Sequence, residues 1–100
     1  MYGFIQDVPI DDELYAKIRA NLGDDPLPGL LFHLVVRREG GQLRYIDMWE
    51  SREACEAAFE TRIHPAVYAA FKEAKFRPAG EPRRDELDVV ELAIGSRWRS

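Results

Sequence analysis

His33 and Asp47 form the sharpest chemical pair in this sequence. They lie in two extended runs, LLFHLVVRR at 30–38 and LRYIDMWE at 43–50, joined by Glu39–Gly40–Gly41–Gln42. A double glycine accepts the positive φ of a tight hairpin, so the runs become neighbouring strands with His33 and Asp47 on one face. A carboxylate beside an imidazole fixes the ring's tautomer and makes it a usable general base. The same two residues could instead be a structural hydrogen-bonded pair. Tyr45 and Trp49 share their parity and could stack on a flat substrate, or serve only as packing. Phe4, Gln6 and Glu91 extend this face as candidate pocket groups. Tyr68 lies off the apolar stripe of its helix, so it points to a cavity or to solvent. With Arg62 and His64 it could line an entrance.

Other chemistries find no footing. Two histidines and one cysteine, without ligand spacing, make no metal site. Cys55 has no evident basic partner and reads as a buried, inert thiol. There is no P-loop, no GxGxxG and no GxSxG elbow, and no cofactor is called for.

The elements that carry these residues are well punctuated. Tyr2–Asp7 reads as a first strand. Asp11 or Asp12 caps a helix over Glu13–Leu22, with Leu14, Ile18 and Leu22 on one stripe and Gly23 closing it. Asp24–Gly29 breaks the chain before the hairpin strands. Ser51 caps a second helix whose Cys55, Phe59, Ile63, Val67 and Phe71 recur every four residues. Pro65 lacks an amide, which predicts a kink or restart near His64–Pro65. Lys75–Glu86 reads as a loop, Leu87–Ile94 (LDVVELAI) as a fourth strand, and 96–100 as a tail after one domain spanning 1–95. The order βαββαβ predicts a ferredoxin-like α+β fold, a four-stranded antiparallel sheet with both helices on one face.

Strand parity sorts two sets. Gly3, Ile5, Leu30, Phe32, Leu34, Val36, Ile46, Met48, Val90, Leu92 and Ile94 are all apolar or glycine, and are expected beneath the helices. Tyr2, Phe4, Gln6, Leu31, His33, Val35, Leu43, Tyr45, Asp47, Trp49, Val89 and Glu91 make a mixed aromatic face. Left bare it would be a patch that monomers avoid, so a second copy of the chain is expected to cover it.

The 100 residues are 46% apolar and 32% charged, the make-up of one globular domain. A net charge of −4 gives no basic face for nucleic acid. The longest apolar run, Leu30–Val36, is too short to span a bilayer, and no signal peptide is evident. A soluble, cytoplasmic protein is the expectation, with neither nucleic acid nor membrane as partner.

The stretch YIDMWESREACEAAFETRIHPAVYAAF resembles the dimeric α/β-barrel superfamily, in particular the antibiotic-biosynthesis-monooxygenase-like proteins and their uncharacterised bacterial relatives. The shared cues are Trp49 ending the third strand, the Trp49–Glu50–Ser51 junction, the aromatic-spaced helix after it, and the His33 strand with its glycine hairpin. The resemblance implies a dimer whose sheets face each other, with a small-molecule cavity between sheet and helices or within the barrel. It includes cofactor-independent monooxygenases of polyketide aromatics, isomerases and haem-degrading enzymes. The haem-degrading branch uses a histidine late in the second long helix, where this chain has Tyr68, and a first-strand asparagine, where it has Gln6 and Asp7.

The leading expectation is a homodimer binding a small planar aromatic or enolisable compound, as a cofactor-independent monooxygenase or isomerase. His33 would be its base, Asp47 the orienter, and Tyr45 and Trp49 the walls. The alternative is a non-catalytic ligand-binding or structural dimer. Haem binding through Tyr68 or His64 comes third. A cavity of roughly 300 Å³ or more reached by His33 separates the first reading from the second.

Overall fold

The computed structural model describes residues 1–99. Strands β1 (Tyr2–Val8), β2 (Leu30–Arg37), β3 (Leu43–Trp49) and β4 (Arg84–Asp88) form one sheet in the order β2-β3-β1-β4, every pairing antiparallel. Helix α1 (Asp12–Leu22) joins β1 to β2. The second crossover contains α2 (Arg52–Ala58), a π-helical turn (Phe59–Ile63) and α3 (His64–Ala74). This is the expected ferredoxin-like α+β domain.

Local chemistry sets the boundaries. Asp11 accepts from the Leu14 amide at 3.0 Å, and Gly23 (φ 77°) ends α1. Ser51 accepts from the Ala54 amide at 3.1 Å and starts α2. The restart expected at Pro65 is real. Pro65 sits in the first turn of α3, and the ladder re-registers through the π-turn just before it.

The fourth strand departs from expectation. It is Arg84–Asp88, not Leu87–Ile94; Leu92–Ile94 (β5) instead pairs with Arg97–Arg99 (β6) in a separate hairpin. The run LDVVELAI has the stronger β propensity, but β4 is an edge strand that bonds only β1, and edges favour charge. The expected tail is therefore partly strand, with Ser100 outside the described residues.

Parity sorts β1 and β3 as expected, but the faces are exchanged; after β4 it fails, because Leu87 lies opposite Gly3 and Val89 reaches the same glycine, so Val89 belongs to the Ile5 face and not to the aromatic one. Phe4, Gln6, Val8, Leu43, Asp47 and Trp49 are buried, and the apolar members of this set pack against α1, α2, the π-turn and α3 in two clusters. The apolar set of Ile5, Phe32, Leu34, Val36, Ile46 and Met48 lies on the opposite, uncovered side, with Leu34 41% and Leu87 36% exposed. A register shift between Leu30 and Phe32 also moves Leu30 to the helix side opposite Trp49. Alternation fixes which residues share a face but not which face the crossovers cover, and the covered one here holds Phe4 and Trp49, both fully buried. The polar groups brought under the helices are satisfied there: among the described residues no buried side-chain N or O lacks a hydrogen-bond partner.

Candidate active site

His33 and Asp47 pair directly across β2 and β3. Asp47 is 3% exposed, and its Oδ1 lies 2.5 Å from His33 Nδ1. Trp49, fully buried two residues along β3, donates its indole N–H to Asp47 Oδ2 at 3.2 Å. With both carboxylate oxygens accepting, the neutral form of the His33 ring carries its proton on Nδ1 and leaves Nε2 as the acceptor. Tyr15 of α1 donates its hydroxyl to that nitrogen at 3.0 Å. The result is a continuous chain, Tyr15–His33–Asp47–Trp49. Burial raises the Tyr15 pKa above the usual phenol value, so the hydroxyl stays a donor near neutrality.

The chain opens on a cavity of about 310 Å³ between sheet and helices. Tyr45 stands at its inner end, with ring centroids 5.4 Å from His33 and 5.8 Å from Tyr15. The mouth is formed by the α1–β2 loop, where Asp24, Asp25 and Pro26 line the cavity. Arg62 of the π-turn holds that loop by donating to the carbonyls of Leu22 (3.3 Å), Asp25 (3.2 Å) and Pro26 (2.9 Å). Extra turns of this kind recur at functional sites because they re-aim side chains that a regular helix would point elsewhere.

A second cavity of about 280 Å³ lies on the far side of Tyr45. It is lined mainly by apolar residues such as Val8, Ile10 and Phe71, with Gln6, His64, Glu81 and Tyr68 at its polar edge. Gln6 donates to the Pro82 carbonyl at 2.9 Å and His64 Nε2 lies 3.0 Å from Glu81, which fixes the 78–82 loop over this cavity.

The predicted site residues therefore divide. His33, Asp47, Tyr45 and Trp49 line one cavity; Gln6, Tyr68 and again Tyr45 line the other. Phe4 lines neither. It is fully buried against Trp49 and Phe59, with the Arg84 guanidinium 4.9 Å from its ring centre. Glu91 lies between β4 and β5, outside the sheet and both cavities. Parity puts both on the mixed face, but β4 ends at Asp88, before Glu91 is reached. Sequence reasoning missed Tyr15; it named Arg62 as an entrance residue beside Tyr68 and His64, but not the three carbonyls of the α1–β2 loop that Arg62 holds. Tyr15 sits one residue after Leu14 of the α1 stripe, and only the packing of α1 over β2 reveals its partner.

Among the described residues no group of three His, Cys, Asp or Glu side chains is placed to hold a metal, and no helix is long and apolar enough to cross a membrane.

A four-stranded antiparallel sheet roofed by helices over a small chamber is a ferredoxin-like α+β fold, and comparison with solved structures finds the same fold. A protein from Chloroflexus aurantiacus J-10-fl, assigned by name to the antibiotic biosynthesis monooxygenases, has a TM-score of 0.62 at 24% identity, over 94% of this chain and 98% of the other. An arginine-to-serine mutant of MhuD, solved with two manganese protoporphyrin IX molecules per active site, has a TM-score of 0.61 at 20% identity, over 95% and 99%. No family model and no curated protein matches the sequence.

Nε2 of His64 lies 3.0 Å from Glu81 Oε1, and the Tyr68 ring stacks on the imidazole with centroids 5.6 Å apart.

Proposed function

We propose that the chain binds a small planar compound bearing an acidic hydroxyl or enolisable C–H, and takes its proton through Tyr15 and His33. The observation that carries this reading is the hydrogen-bond chain from Tyr15 to Asp47 opening on a cavity of about 310 Å³, the size of a small-ligand site. A substrate hydroxyl beside Tyr15 passes its proton to the phenol oxygen as the phenol proton moves to His33 Nε2. The imidazolium that forms is held by Asp47. Tyr45 and Trp49 supply flat aromatic walls. The substrate anion then reacts in one of two ways. It returns the proton at another atom, which is isomerisation. Alternatively, an activated CH₂ reduces dioxygen, becoming C=O while the second oxygen leaves as water, which is monooxygenation without a cofactor.

The second reading is a non-catalytic binding module. It is favoured by one observation: Tyr15 occupies the only free lone pair of His33. In either case we place the protein in the cytoplasm, and we read it as a homodimer joined through the uncovered apolar face of the sheet, a patch of the kind that marks interfaces.

para-Nitrophenol tests the base, because its phenolate is yellow. The wild-type protein should bind it as the phenolate at a pH where the free probe is largely colourless. His33→Ala should bind it colourless or not at all, and Tyr15→Phe should weaken the colour change. Equal colour in all three proteins refutes proton transfer, and leaves the binding module.

A further inference from the structure

The two cavities lie back to back and share one wall of Ile18, Tyr45, Phe59, Ile63 and Val67. One side of that wall faces the Tyr15–His33–Asp47 chain; the other faces a mainly apolar cavity with its polar groups at the edge. Tyr45 is the largest polar-tipped member and packs against both His33 and Tyr15. Burial pushes its phenol well above the ordinary value, so it is neutral. Among the described residues no protein atom hydrogen-bonds its hydroxyl, so the ring is held by packing alone.

We propose that Tyr45 determines ligand length, dividing the space beneath the helices into a head lobe at His33 and an apolar tail lobe that the wild-type ligand does not enter. This rests on the reading above that the His33 cavity is the binding site. The substrate class narrows accordingly, to compact one- or two-ring hydroxyarenes or enols with short substituents opposite the acidic hydroxyl. Long-tailed analogues meet the Tyr45 ring. Removing that ring joins the lobes and lets an alkyl tail bury itself, each added methylene then strengthening binding rather than opposing it.

The test is a ladder of para-alkylphenols measured by calorimetry. Wild-type protein should bind para-methylphenol more tightly than para-hexylphenol. Tyr45→Ala should reverse the order, with a change in the ratio of roughly ten-fold or more. Tyr45→Phe keeps the ring and should keep the wild-type ratio. Val67→Ala thins the same wall and should shift the ratio in the Tyr45→Ala direction, which covers a failure of Tyr45→Ala to fold. A ratio that does not move in either alanine variant overturns the proposal, as does wild-type protein binding both phenols equally. Toluene and hexylbenzene, which carry no acidic proton, separate this from the base. If phenols fail to bind but hexylbenzene gains over toluene in Tyr45→Ala, the wall stands and the proton-transfer reading falls. If neither series binds any variant, both fall.

Discussion

Asp47 holds the site together because it is a buried carboxylate with two specific donors. Each of its oxygens accepts from one ring nitrogen, His33 on one side and Trp49 on the other. Asp47→Ala would leave the Trp49 N–H and the His33 Nδ1–H without their acceptor, at a cost of about 1–3 kcal/mol each where water cannot substitute. Urea unfolding should therefore show a destabilisation in that range, larger than that of His33→Ala, because His33 is partly open to solvent. Cys55 makes the opposite case. Burial pushes its thiol from 9.0 up to about 12, with Arg84 opposing only in part. It should resist iodoacetamide in the native protein at pH 8 and react once urea is added. Its folded pKa is raised, so the stability it contributes is complete below pH 9.0 and is lost as pH rises from 9.0 towards about 12. Stability measured across that window should fall, and Cys55→Ala should flatten part of the fall.

At the scale of elements, the π-turn does two jobs. It brings Phe59 and Ile63 inward to line both cavities, and it places Arg62 against three carbonyls at the end of α1 and in the loop after it. Arg62→Ala should free residues 22–27 while leaving the sheet intact. Hydrogen exchange should rise in that segment and remain unchanged in β1 and β3, and ligand affinity should drop through a looser mouth. Uniform exchange across the chain would mean that Arg62 supports the whole fold rather than this loop. Arg84 anchors the other end of the long crossover. Burial opposes its charge, but hydrogen bonds with Glu56 and Tyr2 overcome that, and its guanidinium lies 4.3 Å from the centre of the Phe59 ring.

For the whole molecule, the uncovered sheet face decides assembly. Leu34, at the centre of its edge strand, is 41% exposed among Phe32, Val36, Ile46 and Met48. Gly3 belongs to the same face. A Cβ there would lie 2.7 Å from Met48 Sδ and 2.9 Å from Val89 Cγ2, so glycine lets those side chains close over β1. Leu34→Arg places a charge in this patch. Light scattering should show the wild-type chain as a dimer and the variant as a monomer; a wild-type monomer at high concentration would remove the homodimer from the reading.

The order of elements, the caps at Asp11 and Ser51, the hairpin at Gly40–Gly41 and the break at Pro65 were legible in the sequence, because each depends on a residue and its near neighbours. The pairing of His33 with Asp47 was legible too, because a tight hairpin fixes the register of the two strands it joins. Three things were decided only by the tertiary structure. Parity separates two faces but carries no sign, so it could not say which face the helices cover when both are rich in apolar groups. The edge position of Arg84–Asp88 outweighed the higher β propensity of the segment after it. Tyr15 meets His33 only because α1 packs across β2, and the contact spans a stretch of chain in which no local rule relates the two residues.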